Sequence, residues 1–227
     1  MIIELDGISI EVTRKPIKNM TLRIYPPDGL VRVSAPLKYS ERLIRKTLEE
    51  KKAWIHEHRE RMRHRAPLES LPLRTGTTIP FMGKNYLLII EEHHGPNQVQ
   101  LQDELIHCYT QVGSSPAQIQ ALVDAWYKRQ MQLLLPRLIM HWETIVGVKT
   151  KQWGIKKMKT RWGSCNPHAA RIWLNLTLIK KPQICLEYVL VHELVHMLEP
   201  SHNKRFYSFM NQFMPHWREH QHLLEGR

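Results

Sequence analysis

The sequence of 227 residues predicts an α+β fold, with a β-rich N-terminal part and a mainly helical C-terminal part. Short β-rich segments separated by turn residues dominate the first part. Long helical patterns occur at 40–65 and 117–146. A further pattern at 183–198 is apolar on almost every face, which indicates a buried helix. We therefore expect a β-rich subdomain with one long helix over 1–112 and a second domain over 113–227.

The N-terminal part begins with three segments that alternate apolar and polar residues or are rich in β-formers, 8–12, 21–25 and 30–35. PPDG at 26–29 predicts a turn, because proline presets φ and glycine accepts a positive φ. Ser40 is then the predicted N-cap of a long amphipathic helix that ends near residue 65.

Further strands are expected before the second domain. Residues 77–90 predict a hairpin with Met82 and Gly83 near its tip, and weaker strands follow near 98–101 and 104–110. These segments complete the predicted β-rich subdomain.

The second domain begins with GSSP at 113–116, a strong helix start. Pro136 is expected to kink or divide the long helix that follows. A strand, a turn and a second strand are predicted over 148–165, and another strand over 171–179. Proline at 200 should end the buried helix, and a helix over 203–214 and a short helical tail complete the chain.

Charge and cysteine content narrow the function classes. The chain has 33 basic and 21 acidic residues, a net charge of +12, which favours polyanions or acidic surfaces without naming a partner. Three cysteines far apart in sequence cannot form a disulfide framework, so we expect a reducing, cytoplasmic location. No run of about 18 apolar residues occurs, so no membrane helix is expected.

Two histidines in the buried helical pattern carry the strongest chemical signal. His192 and His196 are four positions apart, so both imidazoles project from one face of a helix. Two such rings can share one Zn²⁺, and Glu193 between them can act on a metal-activated water as general base. Satisfied core or surface histidines are the alternative, but polar groups in so apolar a helix are costly without compensation.

A catalytic zinc site needs a third protein ligand, and two residues compete for this role. Pro200 stops the helix, so the chain can turn and return His202 to the metal. Glu199, three positions after His196, is the other candidate. The turn favours His202.

The stretch HELVHMLEPSHNKRF at 192–206, preceded by TRWGSCN at 160–166 and RIWLNLTLIKKP at 171–182, resembles the YgjP-like, SprT/WLM-related family of zincin metallopeptidases. PPDG, VRVSAP and KKAWI in the N-terminal part extend this resemblance over nearly the whole chain. Ser201, Asn203 and Tyr207 depart from the family's usual Asn, Ser and Trp. Metzincins share the histidine spacing but have glycine in place of Glu199, so that resemblance ranks lower.

The resemblance implies a zincin-like catalytic domain with an HExxH active-site helix and a Zn²⁺ cofactor. It implies that His192, His196 and His202 are the zinc ligands and that Glu193 is the catalytic residue. It also implies a protein or peptide substrate, which pairs with the strand containing RWGSC. The residues expected to contact this substrate are Arg161, Trp162, Gly163, Ser164 and Tyr207.

Three assignments stay open within this reading. The donor that stabilises the oxyanion is Arg161, Tyr207 or a late histidine such as His216. Cys165 is either a nucleophile or, more often for a free cysteine, a packed thiol. Trp162 and Gly163 either contact substrate or serve ordinary core packing at a bend.

A nucleic-acid-binding protein with a structural zinc, or a latent DNA-associated protease, is the alternative function. Six cations lie within 149–161 with no acidic residue among them, and Trp153 and Trp162 interleave with or follow them. Such a run is either a nucleic-acid-facing surface or a solvated strand face. A zinc-dependent peptidase remains the favoured reading.

Overall fold

The computed structural model describes residues 1–25, 29–64 and 72–226, without the side chains of 61–64. Most of the predicted PPDG turn and the end of the predicted first helix therefore lie outside the described residues. Contacts between backbone positions divide the chain into two units, Met1–Leu71 and Pro72–Arg227. None of the helices among the described residues combines the length and the apolar character that crossing a bilayer requires.

The first unit is a four-stranded sheet with two helices. Alternating burial along the strands, as at Ile8, Ile10 and Val12, gives the sheet one apolar face. The strand order is β1-β2-β4-β3, with β2 and β4 parallel and the outer pairs antiparallel. The elements are β1 (Ile2–Leu5), β2 (Ile8–Lys15), β3 (Thr21–Tyr25), β4 (Leu30–Pro36), α1 (Glu41–Glu50) and α2 (Lys52–His64).

The single helix predicted after Ser40 is interrupted. Ser40 is the N-cap, and its hydroxyl accepts a hydrogen bond from the Leu43 N–H at 3.2 Å. Lys51 then separates α1 from α2. Ile44 of α1 and Ile55 of α2 are both buried in the core beneath the sheet, so tertiary packing holds the two segments there.

The second unit begins with another four-stranded sheet of order β5-β6-β8-β7. The predicted hairpin at 77–90 is present, with β5 and β6 antiparallel on either side of Met82 and Gly83. The strands are β5 (Thr78–Phe81), β6 (Lys84–His93), β7 (Gln98–Gln102) and β8 (Leu105–Gln111).

This sheet belongs with the helical part of the chain. Leu88 and Ile106 on its inner face share one hydrophobic core with the helices that follow. The Met82 N–H also donates to the Ile179 carbonyl at 2.8 Å. The contacts therefore divide the chain after residue 71, whereas the sequence analysis placed the division after residue 112. The physical reason is that the apolar face of the sheet is covered by the long helix.

That long helix, α3 (Pro116–Val146), is continuous. Ser115 and Gln118 form a capping box at its start, as GSSP predicted. Pro136 lies inside α3 and does not divide it, so the predicted division of the helix into two is wrong. Burial of the neighbouring Leu135 and Ile139 offsets the missing hydrogen bond of the proline.

A three-stranded sheet of order β10-β11-β9 follows. Its strands are β9 (Gln152–Lys156), β10 (Gly163–Asn166) and β11 (Arg171–Asn175), with β10 at an edge and antiparallel to β11. The strand predicted over 171–179 ends at Asn175. The Asn175 side chain accepts from the Thr177 N–H at 3.2 Å and so starts a 3₁₀ turn over Leu176–Lys180.

Three helices complete the unit, α4 (Gln183–Val195), α5 (Lys204–Phe213) and α6 (Trp217–Glu225). Helix α4 is buried, as predicted, and contacts α3, α5, α6 and β10. It ends at Val195, before the predicted end at residue 198. The Met197 N–H bonds back to the Leu194 carbonyl in a tighter turn, so the backbone leaves the α-helix before Pro200.

Candidate metal centre

Three histidines converge at the end of α4. His192 lies in the last turn of the helix, His196 is its C-cap, and His202 lies in the segment before α5. The Nε2 of His202 is 3.0 Å from the Nε2 of His192 and 3.0 Å from the Nε2 of His196. All three nitrogens lie within 4.8 Å of one another. The structure therefore brings together all three residues that the sequence analysis named as ligands.

This arrangement of nitrogens fits a shared cation. A neutral imidazole carries one N–H, so His202 Nε2 can donate a hydrogen bond to one neighbour at most. In at least one of the two close contacts, the lone pairs of two nitrogens therefore face each other. A single cation between the rings satisfies all three. Two nitrogens bound to one tetrahedral Zn²⁺ at 2.0–2.1 Å are about 3.3 Å apart, close to the separation found here.

Two further contacts hold the rings in this orientation. The Nδ1 of His196 lies 3.2 Å from the Glu199 carbonyl oxygen, which can only accept, so Nδ1 carries the proton and Nε2 presents its lone pair. Phe206 packs under all three rings, with centroid distances of 4.6–4.9 Å. Asn203 fixes Phe206 in turn, because its side chain caps α5 by accepting from the Phe206 N–H.

The protonation state of the rings suits metal binding. Burial is the main cause, and the neighbouring His196 and His202 a lesser one, of the lowering of the pKa of His192 to about 3. Burial also lowers the pKa of His196, although its hydrogen bond to the Glu199 carbonyl acts in the opposite direction. Both imidazoles are therefore neutral near pH 7, the form that donates a lone pair to a metal.

The carboxylate of Glu199, the competing ligand candidate, bonds to the backbone and not to the histidine group. Its carboxylate accepts a hydrogen bond from the Ser201 N–H at 3.2 Å. Its backbone carbonyl, rather than its side chain, meets the histidine group through His196. The tight turn after Val195 produces this arrangement, since it places His202, and not the Glu199 carboxylate, beside the first two rings.

Glu193 is a buried carboxylate beside the three rings. It is 5% exposed, and its Oε2 makes no hydrogen bond to any part of the chain that the structure describes. Burial raises the pKa of Glu193 to about 8, and the positive charge of Arg161 opposes this shift. An acidic group so strongly perturbed within a cleft is typical of a reactive site.

Gly163 gives Glu193 its space. A Cβ built on Gly163 would lie 2.6 Å from Oε1 of Glu193 and 2.8 Å from its Cγ, closer than real Cβ atoms approach. The first residue of β10 therefore has to lack a side chain. Gly163 therefore has a role beyond the two predicted ones, substrate contact and packing at a bend: it makes space for the Glu193 carboxylate.

A cleft of about 590 Å³ contains these groups. Four of the five expected substrate-contacting residues, Arg161 to Ser164, line it. Tyr207 does not line it: its ring is 6.4 Å from that of His202 and stacks on Trp217. His216 also lies outside the lining and contacts Glu219 at 3.2 Å.

The loop that carries Arg161 into the cleft is held by one buried amide. The Asn175 side chain is 4% exposed and donates to the carbonyls of Met158 and Arg161 at 2.9 and 2.8 Å. The side-chain oxygen of Asn175 accepts from the Met158 N–H, and the backbone N–H of Asn175 donates to the Trp162 carbonyl. One side chain thereby ties the cleft wall to β11.

The thiol of Cys165 lies in the cleft lining without the features of a nucleophile. Burial, with a smaller contribution from the charge of Glu193, raises the pKa of Cys165 to about 11. A thiol in this environment stays protonated at neutral pH, so the reading as a packed thiol is favoured.

Half of the cations in the basic run between 149 and 161 contact other residues of the chain. Lys149 pairs with Glu143 at 2.7 Å, and Lys157 pairs with Asp124. Lys156 places its Nζ 3.6 Å from the centroid of the Trp173 ring. These contacts account for half of the run and favour the reading as a solvated strand face.

Several cleft residues were missed by the sequence analysis. The motif that carries the family resemblance contains Phe206 but gives it no role, although its ring packs against all three histidines. Residues of α6 form a wall of the cleft, and no spacing in the sequence connects them with the HExxH motif. The missed lining residues include Tyr188, Val189, Gln221, Leu224 and Glu225.

Comparisons with known proteins identify the family. The profile of the YgjP-like metallopeptidase domain matches residues 18–227. A solved structure, the metallopeptidase zymogen abylysin of Pyrococcus abyssi, is 20% identical with a TM-score of 0.36, over 38% of this chain and 88% of that chain. No curated protein matches the sequence. Because the family profile spans most of its length, the chain belongs to the YgjP-like metallopeptidase family.

Proposed function

We propose that this metallopeptidase is zinc-dependent and of the HExxH-x5-H type, with His192, His196 and His202 holding the metal. The observation that carries the proposal is the convergence of three imidazole nitrogens, with His202 Nε2 at 3.0 Å from the other two. Three neutral nitrogen ligands with an open fourth position are typical of catalytic zinc. Proteins or peptides are the substrates of such an enzyme.

Glu193 is the proposed general base. A zinc ion in this site supplies Lewis-acid activation of water and of the substrate carbonyl. Glu193 accepts a proton from the attacking water and transfers it to the leaving amine. Its unpartnered Oε2 supports this role, since no structural hydrogen bond has to break first. Burial raises the pKa of Glu193 to about 8, and the positive charge of Arg161 limits this rise and so favours the ionised form that a base requires.

The edge strand β10 is the proposed docking site for the substrate backbone. An extended peptide can pair with the free edge of this strand, as in other recognition by strand addition. Trp162, Gly163 and Ser164 line the cleft at this edge, and Arg161 precedes them. Tyr207, 40% exposed and near His202, is the proposed contact at the rim of the site. Arg161 is the preferred donor to the oxyanion, ahead of Tyr207 and His216.

Metal content and proteolysis together test this function. The purified wild-type protein should hold about one equivalent of zinc and cleave an unfolded protein substrate, because three nitrogen ligands are in place. His196→Ala should lose most of the metal and the activity. His141→Ala is the matched control, since it removes an exposed histidine of α3 that lies outside the cleft lining. Equal zinc in wild type and His196→Ala would reject the ligand set.

A further inference from the structure

The side-chain amide of Asn175 uses both of its polar ends inside the second unit. Its Oδ1 accepts from the N–H groups of Met158 and Thr177 at 3.3 and 3.2 Å. Its Nδ2 donates to the carbonyls of Met158 and Arg161 at 2.9 and 2.8 Å. Because two donors and two acceptors face the amide, only one of its two orientations fits. Asn175 is 4% exposed, and a buried polar group that is fully satisfied in this way holds its partners rigidly.

Most of these bonds reach one loop of the cleft wall, residues 157–162 between β9 and β10. This loop has no regular secondary structure. The backbone N–H of Asn175 adds a further bond to it, to the Trp162 carbonyl at 2.8 Å. A loop without a ladder of its own takes its conformation from the groups that satisfy its backbone. Asn175 therefore fixes the loop near its start, at Met158, and at its end, at Arg161 and Trp162.

The end of this loop carries the cation of the cleft. Arg161 lines the cleft, and its guanidinium makes no hydrogen bond or ion pair with the part of the chain that the structure describes. The backbone at residue 161 therefore sets the region that the guanidinium reaches. Burial raises the pKa of Glu193 and the charge of Arg161 opposes the rise, so the guanidinium acts on the same region as this carboxylate.

We propose that Asn175 is a positioning residue for the reaction: its amide fixes the backbone at Arg161 and so holds the guanidinium where the oxyanion forms. Asn175 itself does not line the cleft, so it acts through the loop and not by touching the substrate. This inference rests on the proposed peptidase function, with Arg161 as the donor to the oxyanion. A purely structural role is the alternative, since the same side chain also starts the 3₁₀ turn at Thr177.

A double-mutant cycle on kcat separates these two roles. Arg161→Ala should lower the kcat of the zinc-loaded protein about 10²-fold or more, the usual cost of removing an oxyanion donor. Asn175→Ala should lower kcat about tenfold or more and leave KM within about threefold of wild type, because it displaces a group that acts in the transition state. In the Arg161→Ala background, the same change should lower kcat less than about twofold, since the group it positions is gone.

Two results of the cycle would overturn the positioning role. One is an unchanged kcat in either single variant. The other is a pair of losses that multiply in the double variant, as expected of a side chain that supports the fold independently of Arg161.

Two further variants identify the bonds that matter. Asn175→Asp keeps an oxygen that accepts from the Thr177 N–H but loses both donors to the loop, so its kcat should fall as in Asn175→Ala. Asn97→Ala is the matched control, because this amide also accepts from a backbone N–H, that of Gln111 at 2.9 Å, and lies outside the cleft lining. It should keep the wild-type kcat. Full activity in Asn175→Asp would overturn the role of the two donated bonds.

A readout without metal or substrate keeps a failure of this inference distinct from a failure of the peptidase function. In the metal-free protein, hydrogen exchange of the Met158 amide, followed by NMR, should be about tenfold or more faster in Asn175→Ala than in wild type, while amides in the middle of α3 keep their wild-type rates. Equal exchange at Met158 in both proteins would overturn the positioning role whether or not any peptide is cleaved. Faster exchange in the variant, together with no proteolysis by zinc-loaded wild type, would instead contradict the peptidase function.

Discussion

Two glutamates, Glu143 near the end of α3 and Glu193 near the end of α4, are buried to nearly the same degree, 6% and 5% exposed. Both oxygens of Glu143 are occupied: Lys149 contacts Oε2 at 2.7 Å, and the Thr150 N–H donates to Oε1 at 2.6 Å. Oε2 of Glu193 has no hydrogen-bond partner among the described residues. The two side chains are therefore equally buried, but only Glu143 has hydrogen-bond partners for both carboxylate oxygens.

The pKa values of the two carboxyl groups diverge as a result. Burial raises the pKa of Glu143, but the hydrogen bonds from Lys149 and Thr150 outweigh it and lower the pKa below its usual value. At Glu193 burial prevails, and the pKa rises to about 8. A satisfied buried carboxylate stabilises a fold, whereas an unsatisfied one beside a cleft is available for chemistry.

The largest expected effect is the separation of activity between matched glutamine variants. Glu193→Gln should reduce kcat by about 10²–10⁴-fold, the usual contribution of a general base, because an amide cannot accept the proton. Glu143→Gln should keep wild-type kcat within about twofold. Proteolysis of an unfolded substrate by zinc-loaded proteins, with zinc content measured in parallel, makes the comparison. If kcat fell by a similar factor in both variants, Glu193 could not be distinguished from Glu143 as the catalytic glutamate.

Gly163→Ala should disturb Glu193 without changing its chemistry. The new methyl group collides with the Glu193 carboxylate, so kcat should fall at least tenfold, and unfolding should cost about 1–3 kcal/mol less, as for other overpacked sites. Urea denaturation and proteolysis measure the two effects. Asn166→Ala, at the exposed last residue of β10 and outside the cleft lining, is the control for a change in the strand. If Gly163→Ala kept the wild-type kcat, the Glu193 side chain could move away from the added methyl group without losing its function, and the tight contact would not matter for activity.

Stability should respond in the opposite order to activity. Glu143→Gln should lower the free energy of unfolding by about 1–3 kcal/mol, because the Lys149 and Thr150 donors lose a charged acceptor. Glu193→Gln should lie within about 1 kcal/mol of wild type, since a carboxyl group with a pKa of about 8 is mostly protonated at pH 7 and glutamine is a neutral group of nearly the same size. Chemical denaturation of the metal-free proteins at pH 7 measures both. A larger loss in Glu193→Gln would contradict the structural role assigned to Glu143.

The smallest effect is a pH dependence specific to Glu143. Its pKa is lower in the folded chain than in the unfolded chain, so its contribution to stability is present above the unfolded value, near 4.5, and is lost as the pH falls through the folded value. The stability difference between wild type and Glu143→Gln should therefore shrink below about pH 4.5. Denaturation curves of both metal-free proteins between pH 7 and 3 test this. A difference that does not change with pH would argue against the lowered pKa.

The local sequence carried much of the candidate site. The spacing of His192 and His196 implies rings on one helix face, and Pro200 implies a turn that brings His202 back. Both inferences depend only on helix geometry and on the missing N–H of proline, which act over a few residues. The family resemblance was confirmed by the match over residues 18–227.

Contacts between distant segments could not be predicted in the same way. Nothing near Gly163 in the sequence indicates that Glu193 will lie against it, and no spacing links Glu225 with Tyr188. The same holds for the β5–β8 sheet, which shares its core with α3 rather than with the first unit. The break at Lys51 and the uninterrupted helix through Pro136 likewise follow from packing that overrides local preference.

The sequence by itself determined the α+β class, the buried helix and the family, and it predicted the three histidines as ligands, because periodicity, capping and short motifs act within a few turns of backbone. Only the tertiary structure decided which carboxylate is left unpartnered, which glycine gives it space and which helix closes the cleft. Those features depend on how segments far apart in the chain meet, and close packing allows little choice once they do.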